Sequence, residues 1–325
     1  LWRISCSRVT PYLDWRVYGF FFSFIAVMFR AFYVSTTNTK ILTANSVVMV
    51  LTNVVLNYIL IFGKFGFPAL GIAGAAIASS ISEAVSVLFF VIYTWKKIDY
   101  KKYGLFRFTR VDFRMLGQIL SVSIWVMIQH GIAFGGWFIF FIAMEHLGER
   151  PLAITNVVRS ISSFLFMFVN AFASTNSSLV SNLIGAGESD RVLPLCWRMI
   201  GLCYAFVLPI SILIAMFPST VLRIYTDNPD LIASSIPSLW VMLSSYLFAV
   251  PGFIYFFSVS GTGNTRRALE IDMASIFVYV LYILYVAVWL RADVAVCWTT
   301  EYVYNIMILS SFFYLWKGNW RNKKI

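Results

Sequence analysis

Apolar stretches follow one another along almost the whole chain, at about 17–36, 41–62, 71–95, 115–142, 152–183, 193–217, 231–259, 269–290 and 294–316. A helix needs roughly 20 apolar residues to cross a bilayer, and each stretch is near or above that length. Runs such as Val85–Tyr93 and Ile161–Val169 are apolar on both parities, unlike the alternating strands of a transmembrane barrel. Helices are the remaining way to satisfy the backbone in lipid. The pattern predicts an all-α polytopic membrane protein with about nine transmembrane helices.

The stretch 41–95 organises this pattern: two spans hinged at Phe62-Gly63-Lys64-Phe65-Gly66-Phe67-Pro68. The first carries Asn53 and Asn57 one helical turn apart; the second opens on Gly71-Ile72-Ala73-Gly74-Ala75-Ala76 and places Glu83 near its midpoint. Polar groups at that depth point to transport.

Composition sharpens the class. With 60% hydrophobic and 12% charged residues and a mean hydropathy of +0.80, the chain has about half the charge of a soluble domain. The net charge of +11 comes from Lys and Arg between apolar spans, which marks cytoplasmic loops rather than a nucleic-acid surface. Of the four cysteines, Cys196 and Cys203 lie two turns apart on one predicted helix and cannot pair, while Cys6 and Cys297 are isolated. No CxxC spacing offers a metal or redox site. Residues 1–16 read as a loop within a longer protein, because Arg3 and Arg8 interrupt any apolar run.

Lys96, Lys97, Lys101, Lys102, Arg107, Arg110 and Arg114 crowd one connection, and Arg266, Arg267, Lys317, Arg321, Lys323 and Lys324 fall on the same side. That side is expected to be cytoplasmic, with Phe62–Gly71 outside. Lys64, Arg150, Arg223 and Arg291 are the lone basic residues of the opposite loops, while Arg3, Arg8 and Arg16 break the rule. A cysteine at Lys101 should stay unlabelled by an impermeant thiol reagent in intact cells; labelling would invert the topology.

The segment Phe32–Lys40 recurs loosely as Phe257–Arg266, at an offset of about 226 residues (Asn38 to Asn264), as in duplicated transporters. Each copy ends one span and precedes another. Three spans lie before the second copy that have no counterpart before the first, so about three helices are expected to be missing from the front of a protein of about twelve.

The string from Asn53 through Gly63-Lys64-Phe65-Gly66-Phe67-Pro68 to Ala78-Ser79 resembles the fifth and sixth helices of MATE (multidrug and toxic compound extrusion) transporters, NorM-like branch. Ala153–Asn156 through Ser178–Gly187 is similar to the family's eighth helix and its cytoplasmic turn, and the resemblance extends to the Gly261–Thr265 turn. It implies two six-helix lobes about a central cavity. Residues 1–95 would be the last half of the first lobe, 96–110 the cytoplasmic inter-lobe loop, and 111–325 the second lobe.

The implied activity is secondary active efflux of cationic or amphiphilic small molecules by Na⁺- or H⁺-coupled antiport with alternating access. The setting would be the bilayer of a bacterial plasma (inner) membrane, with a monomer acting on a small-molecule substrate and with neither nucleic acid nor cofactor beyond the coupling ion. A lipid-linked glycan flippase of related fold would want more cavity arginines than Arg159. A membrane-embedded enzyme would need HExxH, GxSxG or paired-Asp spacing, none of which His130, His146, Glu83 and Glu301 provide. The family's ion chemistry carries over in part: the fifth-helix Asn-x-x-x-Asp stands here as Asn53-x-x-x-Asn57, and the second-lobe acidic positions align near Gly131 and Ala249.

Candidate site residues follow from depth and chemistry. Glu83 lies about 18 Å of helix rise from either end of its span, where an ionised carboxylate costs roughly 2.5–3.5 kcal/mol. It reads as a cation or proton site, or as a protonated Glu bonded to a neighbouring helix. Without a cation or positive neighbour, desolvation favours its neutral form, so Glu83 with His130 is the expected coupling pair. His130, beside Gln129, suits a proton relay or a neutral interhelical contact, and Gly131, Gly135 and Gly136 suit close packing. Asn53 and Asn57 offer carbonyl oxygens to an ion or substrate, or bond helices together. Glu301 and Arg159 snorkel to an interface or, for Glu301, face the cavity. Pro251-Gly252 and Pro209 read as hinges or static kinks.

Overall fold

The computed structural model describes residues 2–36, 38–98, 112–318 and 320, with the backbone alone for 2–11. The basic residues Lys101, Lys102, Arg107 and Arg110 and the tail from Arg321 lie outside the described residues, as do the side chains of Arg3, Cys6 and Arg8. The described residues are helical apart from turns and short loops, and eight helices are long and apolar enough to cross a membrane. The chain divides into two compact units, Leu1–Arg110 and Val111–Ile325.

The first unit holds α1 (Trp2–Ser35), α2 (Lys40–Phe62) and α3 (Gly71–Lys97). The expectation of a loop over residues 1–16 is corrected: α1 runs through that stretch. Arg16 is accommodated because Glu83 of α3 supplies a carboxylate 2.8 Å from its guanidinium. Successive contacts rise together along α1 and α3, from Arg16–Glu83 to the stacked Phe29–Phe90 rings and the 2.6 Å Tyr33–Thr94 hydroxyl pair, so these helices run parallel. Against α2 the order reverses, with Asn45 donating to Ser86 at 2.8 Å and Asn53 to Ser79 at 3.4 Å. Gly74 marks the closest approach: a Cβ there would stand 2.6 Å from the Leu60 carbonyl oxygen. Small residues are what permit such backbone contact in lipid, where dispersion replaces the hydrophobic drive.

The second unit holds α4 (Phe113–Leu147), α5 (Glu149–Gly185), α6 (Val192–Met216), the short α7 (Pro218–Leu222), α8 (Pro229–Gly261) and α9 (Thr265–Ile283), which continues as a π-helical turn over Leu284–Trp289. Asp112 caps α4 by accepting from the Arg114 and Met115 amides, and Asn228 caps α8 through the amides of Asp230 and Leu231. The ninth apolar stretch is corrected from one helix to three segments: α10 (Val294–Cys297), α11 (Thr300–Ile308) and α12 (Ser311–Lys317). At the first joint the Thr299 and Thr300 hydroxyls bond the Val296 and Cys297 carbonyls, and both joints tighten into i→i+3 backbone bonds.

The core of this unit is built on α5 and α8. They run parallel, pinned by Ser162–Tyr246, Asn176–Ser258 and Ser181 donating to the Gly261 carbonyl. Gly261 lies so close to α5 that a Cβ would be 2.6 Å from the Ser177 carbonyl oxygen. The α4 and α9 helices also run parallel, with Thr265 bonded to the Val122 carbonyl, Gly136 against Ile276 and Phe140 against Tyr279. In turn α9 is antiparallel to α11 and α12, through Tyr282–Thr299 and Asn264–Tyr314. Thus α8, α9 and α11 repeat the parallel and antiparallel order of α1, α2 and α3. The recurring segment forms the tight α1–α2 turn in one unit and the α8–α9 turn in the other.

Candidate functional site

In the first unit Glu83, Asn53 and Asn57 each have a polar side-chain partner among the described residues. Glu83 accepts from Arg16, and Ser80 beside it donates to the Trp15 carbonyl. Gly19 makes the room: a Cβ at that position would lie 2.8 Å from Glu83 Oε2 and 2.7 Å from Ser80 Oγ. A positive neighbour for Glu83 is therefore in place. Asn57 donates to Asn53 Oδ1 at 2.7 Å, and Asn53 in turn reaches Ser79. This amide ladder joins α2 to α3 and leaves Asn57 Oδ1 buried without a partner.

The second unit holds a different arrangement. Asp272, two turns into α9, is 2% exposed. Tyr304 of α11 donates to its Oδ1 at 3.0 Å, and the Gln129 amide of α4 reaches the same carboxyl. Glu301, partly buried, sits in the first turn of α11, where the helix dipole favours negative charge. Tyr279 of α9 turns its hydroxyl toward Glu301 without closing a hydrogen bond, and its ring meets that of Tyr304 edge-on at 5.9 Å. Tyr246 of α8 is near enough to Glu301 to feel its charge, and its hydroxyl donates to the Ser162 carbonyl at 2.7 Å. Among the described residues, no basic side chain pairs with Asp272 or Glu301.

Gln129 and His130 part company here. Gln129 is buried toward α9, whereas His130 is exposed on another face of α4. Pro209 and Pro251 lie inside uninterrupted helices. Gly252 packs against α11, where a Cβ would stand 2.8 Å from Ile308 Cγ2 and 3.1 Å from the Asn305 carbonyl oxygen. Arg159 is exposed, its guanidinium 4.8 Å above the Phe141 ring.

Sequence reasoning missed Asp272, Tyr279 and Tyr304. Asp272 falls only three residues inside the apolar stretch 269–290, the position of an interfacial residue. The helix begins earlier, at Thr265, which carries Asp272 into the interior. The available signal was its spacing from Tyr279, two turns along one helical face.

Known proteins resemble this chain in sequence and in fold. The family model MatE matches residues 126–288. The probable multidrug resistance protein NorM of Thermotoga maritima is 28% identical over 239 residues, 73% of this chain and 50% of the relative. The uncharacterized transporter YisQ of Bacillus subtilis is 25% identical over 197 residues, 58% of this chain and 41% of the relative. The chain thus spans about half the length of these curated relatives. Among solved structures, MATE in complex with MaL6 superposes with a TM-score of 0.83 at 16% identity, over 95% of this chain and 69% of that one. The Vibrio cholerae MATE transporter VcmN in the bent form gives 0.76 at 16% identity, over 94% and 68%. At such identities the superpositions establish the fold.

Proposed function

This chain belongs to the MatE family of multi-pass membrane transporters, and from that premise we propose that it serves secondary active efflux. In this reading, cationic or amphiphilic small molecules leave a bacterial cell across its inner membrane in exchange for an inward-moving Na⁺ or H⁺, by alternating access. The observation that carries the reading is the pair of acids in the second unit. Asp272 lies within a helix long and apolar enough to cross a membrane, Glu301 lies on α11 packed beside it, and the two have tyrosine and amide neighbours and, among the described residues, no cationic partner. An ionised carboxylate in such a place is costly until a cation or a proton joins it. Loading and unloading therefore change the energy of the unit, which is what an ion gradient needs in order to do work.

Reconstitution tests this directly. In liposomes carrying ethidium as the transported probe, export against its gradient should require an imposed Na⁺ or proton gradient and fall to the protein-free rate when ionophores collapse both. Ethidium movement that follows only its own gradient, at the same rate with both ion gradients collapsed, would show a uniporter.

A further inference from the structure

Helix α5 is divided along its length into two faces. Ile154, Val158, Ile161, Leu165, Val169 and Val180 are buried on one. The opposite face exposes Asn156, Arg159, Ser163, Asn170, Ser174 and Ser181. Each of these follows the last by three, four or seven residues, the spacing of a single helical face. At 3.6 residues per turn they fall within an arc of about 60°, and the row rises about 37 Å. That exceeds the roughly 30 Å hydrocarbon core of a bilayer.

Acyl chains are poor solvent for such a face, because polar groups are costly in hydrocarbon. Helix α6 shows the contrast: every exposed residue from Leu202 to Met216 is apolar, as lipid contact requires. Snorkelling can carry a long side chain such as Arg159 to an interface. It does nothing for the short side chains of Ser163, Asn170 and Ser174 further along the same row.

The charged member of the row is Arg159, about two turns into the apolar stretch 152–183. Its guanidinium stands 4.8 Å from the centre of the Phe141 ring of α4, a contact that holds the charge beside an aromatic surface. Exposed Met167 borders the row two turns further on. Polar groups, apolar surface and one fixed positive charge therefore lie together along α5.

We propose that this face of α5 lines a water-filled path taken by substrate, and that Arg159 is its charge filter, favouring amphiphiles with an anionic group over purely cationic ones. The proposal rests on the efflux reading and ranks the substrates within it. A guanidinium stays charged at any working pH, and its planar fork donates to two oxygens of a carboxylate or sulfonate at once. In a cleft with low-dielectric walls its field is focused, so the charge that attracts an anion repels a cation. The Phe141 ring and Met167 offer apolar contact to the rest of the molecule.

Two probes of opposite charge test the filter in liposomes: ethidium, a cation, and 8-anilinonaphthalene-1-sulfonate, an anion. The sulfonate should compete with gradient-driven ethidium export. Arg159→Met keeps the side-chain stem and removes the charge. It should raise the sulfonate concentration for half-inhibition by about tenfold, the scale of one lost hydrogen bond to a charged group, and lower the ethidium concentration for half-maximal export. Arg159→Lys, which keeps the charge, should shift both by less. Damage to the fold would not move the two probes in opposite directions. Shifts in the same direction, or no shift in either, would overturn the filter.

Labelling tests the path without transport. In detergent, Ser163→Cys and Asn170→Cys should react with a charged, water-soluble thiol reagent faster than Phe206→Cys on the exposed apolar face of α6. Reaction no faster than at Phe206→Cys would overturn the path. The sulfonate should slow labelling of Ser163→Cys, and that protection should be lost when Arg159→Met is added; protection that persists would overturn the filter. An unsubstituted protein that exports no ethidium under either ion gradient would overturn the efflux reading, and the labelling would still decide whether α5 carries the anion site.

Discussion

Glu83→Gln should cost about 3 kcal/mol of stability, because it leaves the Arg16 guanidinium inside the membrane without its partner. The pair is close, at 2.8 Å, with 14% of the Glu83 side chain and 25% of the Arg16 side chain exposed. That residual exposure places the expected cost at the lower end of the range of about 3–5 kcal/mol for breaking buried pairs. The two partners are not equivalent. A stranded guanidinium cannot give up its proton, whereas a stranded carboxyl can take one up. Arg16→Met should therefore lose less than Glu83→Gln.

The double variant Arg16→Met/Glu83→Gln has no charge to desolvate and should recover most of the loss. A cycle of thermal unfolding measurements in detergent reads these differences. Losses that simply add in the double variant would mean that the pair contributes nothing as a pair.

This pair also shows where the sequence stopped being informative. The length and polarity of the spans made the helices legible, and depth alone singled out Glu83. Arg16 was read as part of a loop because Arg3 and Arg8 interrupt any apolar run before it, and only the packing of α1 on α3 supplies the carboxylate that meets it. The break of the last span into α10, α11 and α12 depends on threonine hydroxyls turning back on their own carbonyls, a local choice that hydropathy does not record.

Helix phase limited the reading of the second unit in the same way. Gln129 and His130 are adjacent and both polar, and the α4–α9 contact decides which of them meets Asp272. That contact is fixed by Gly136 against Ile276. Asp272 was lost to a boundary placed one turn late, since hydropathy begins the helix at the first apolar residue and the backbone begins it at Thr265. The repeat was legible: Phe32–Lys40 and Phe257–Arg266 do form corresponding helix turns in the two units.

The larger functional effect is expected at Asp272. Removing its charge with Asp272→Asn keeps the side-chain size and leaves no stranded cation among the described residues, in contrast to any single change at Glu83. Gradient-driven export should fall by about a hundredfold, the lower end of the range for losing an essential acid–base group. The neutral double variant at Arg16 and Glu83 should retain export, because it removes the charges of the first-unit pair together. Measuring ion-driven ethidium export side by side in liposomes holding Asp272→Asn or Arg16→Met/Glu83→Gln tests the central claim most directly. Loss in the first with retention in the second is the predicted result; retention in Asp272→Asn with loss in the double variant would place coupling at Glu83 and contradict it.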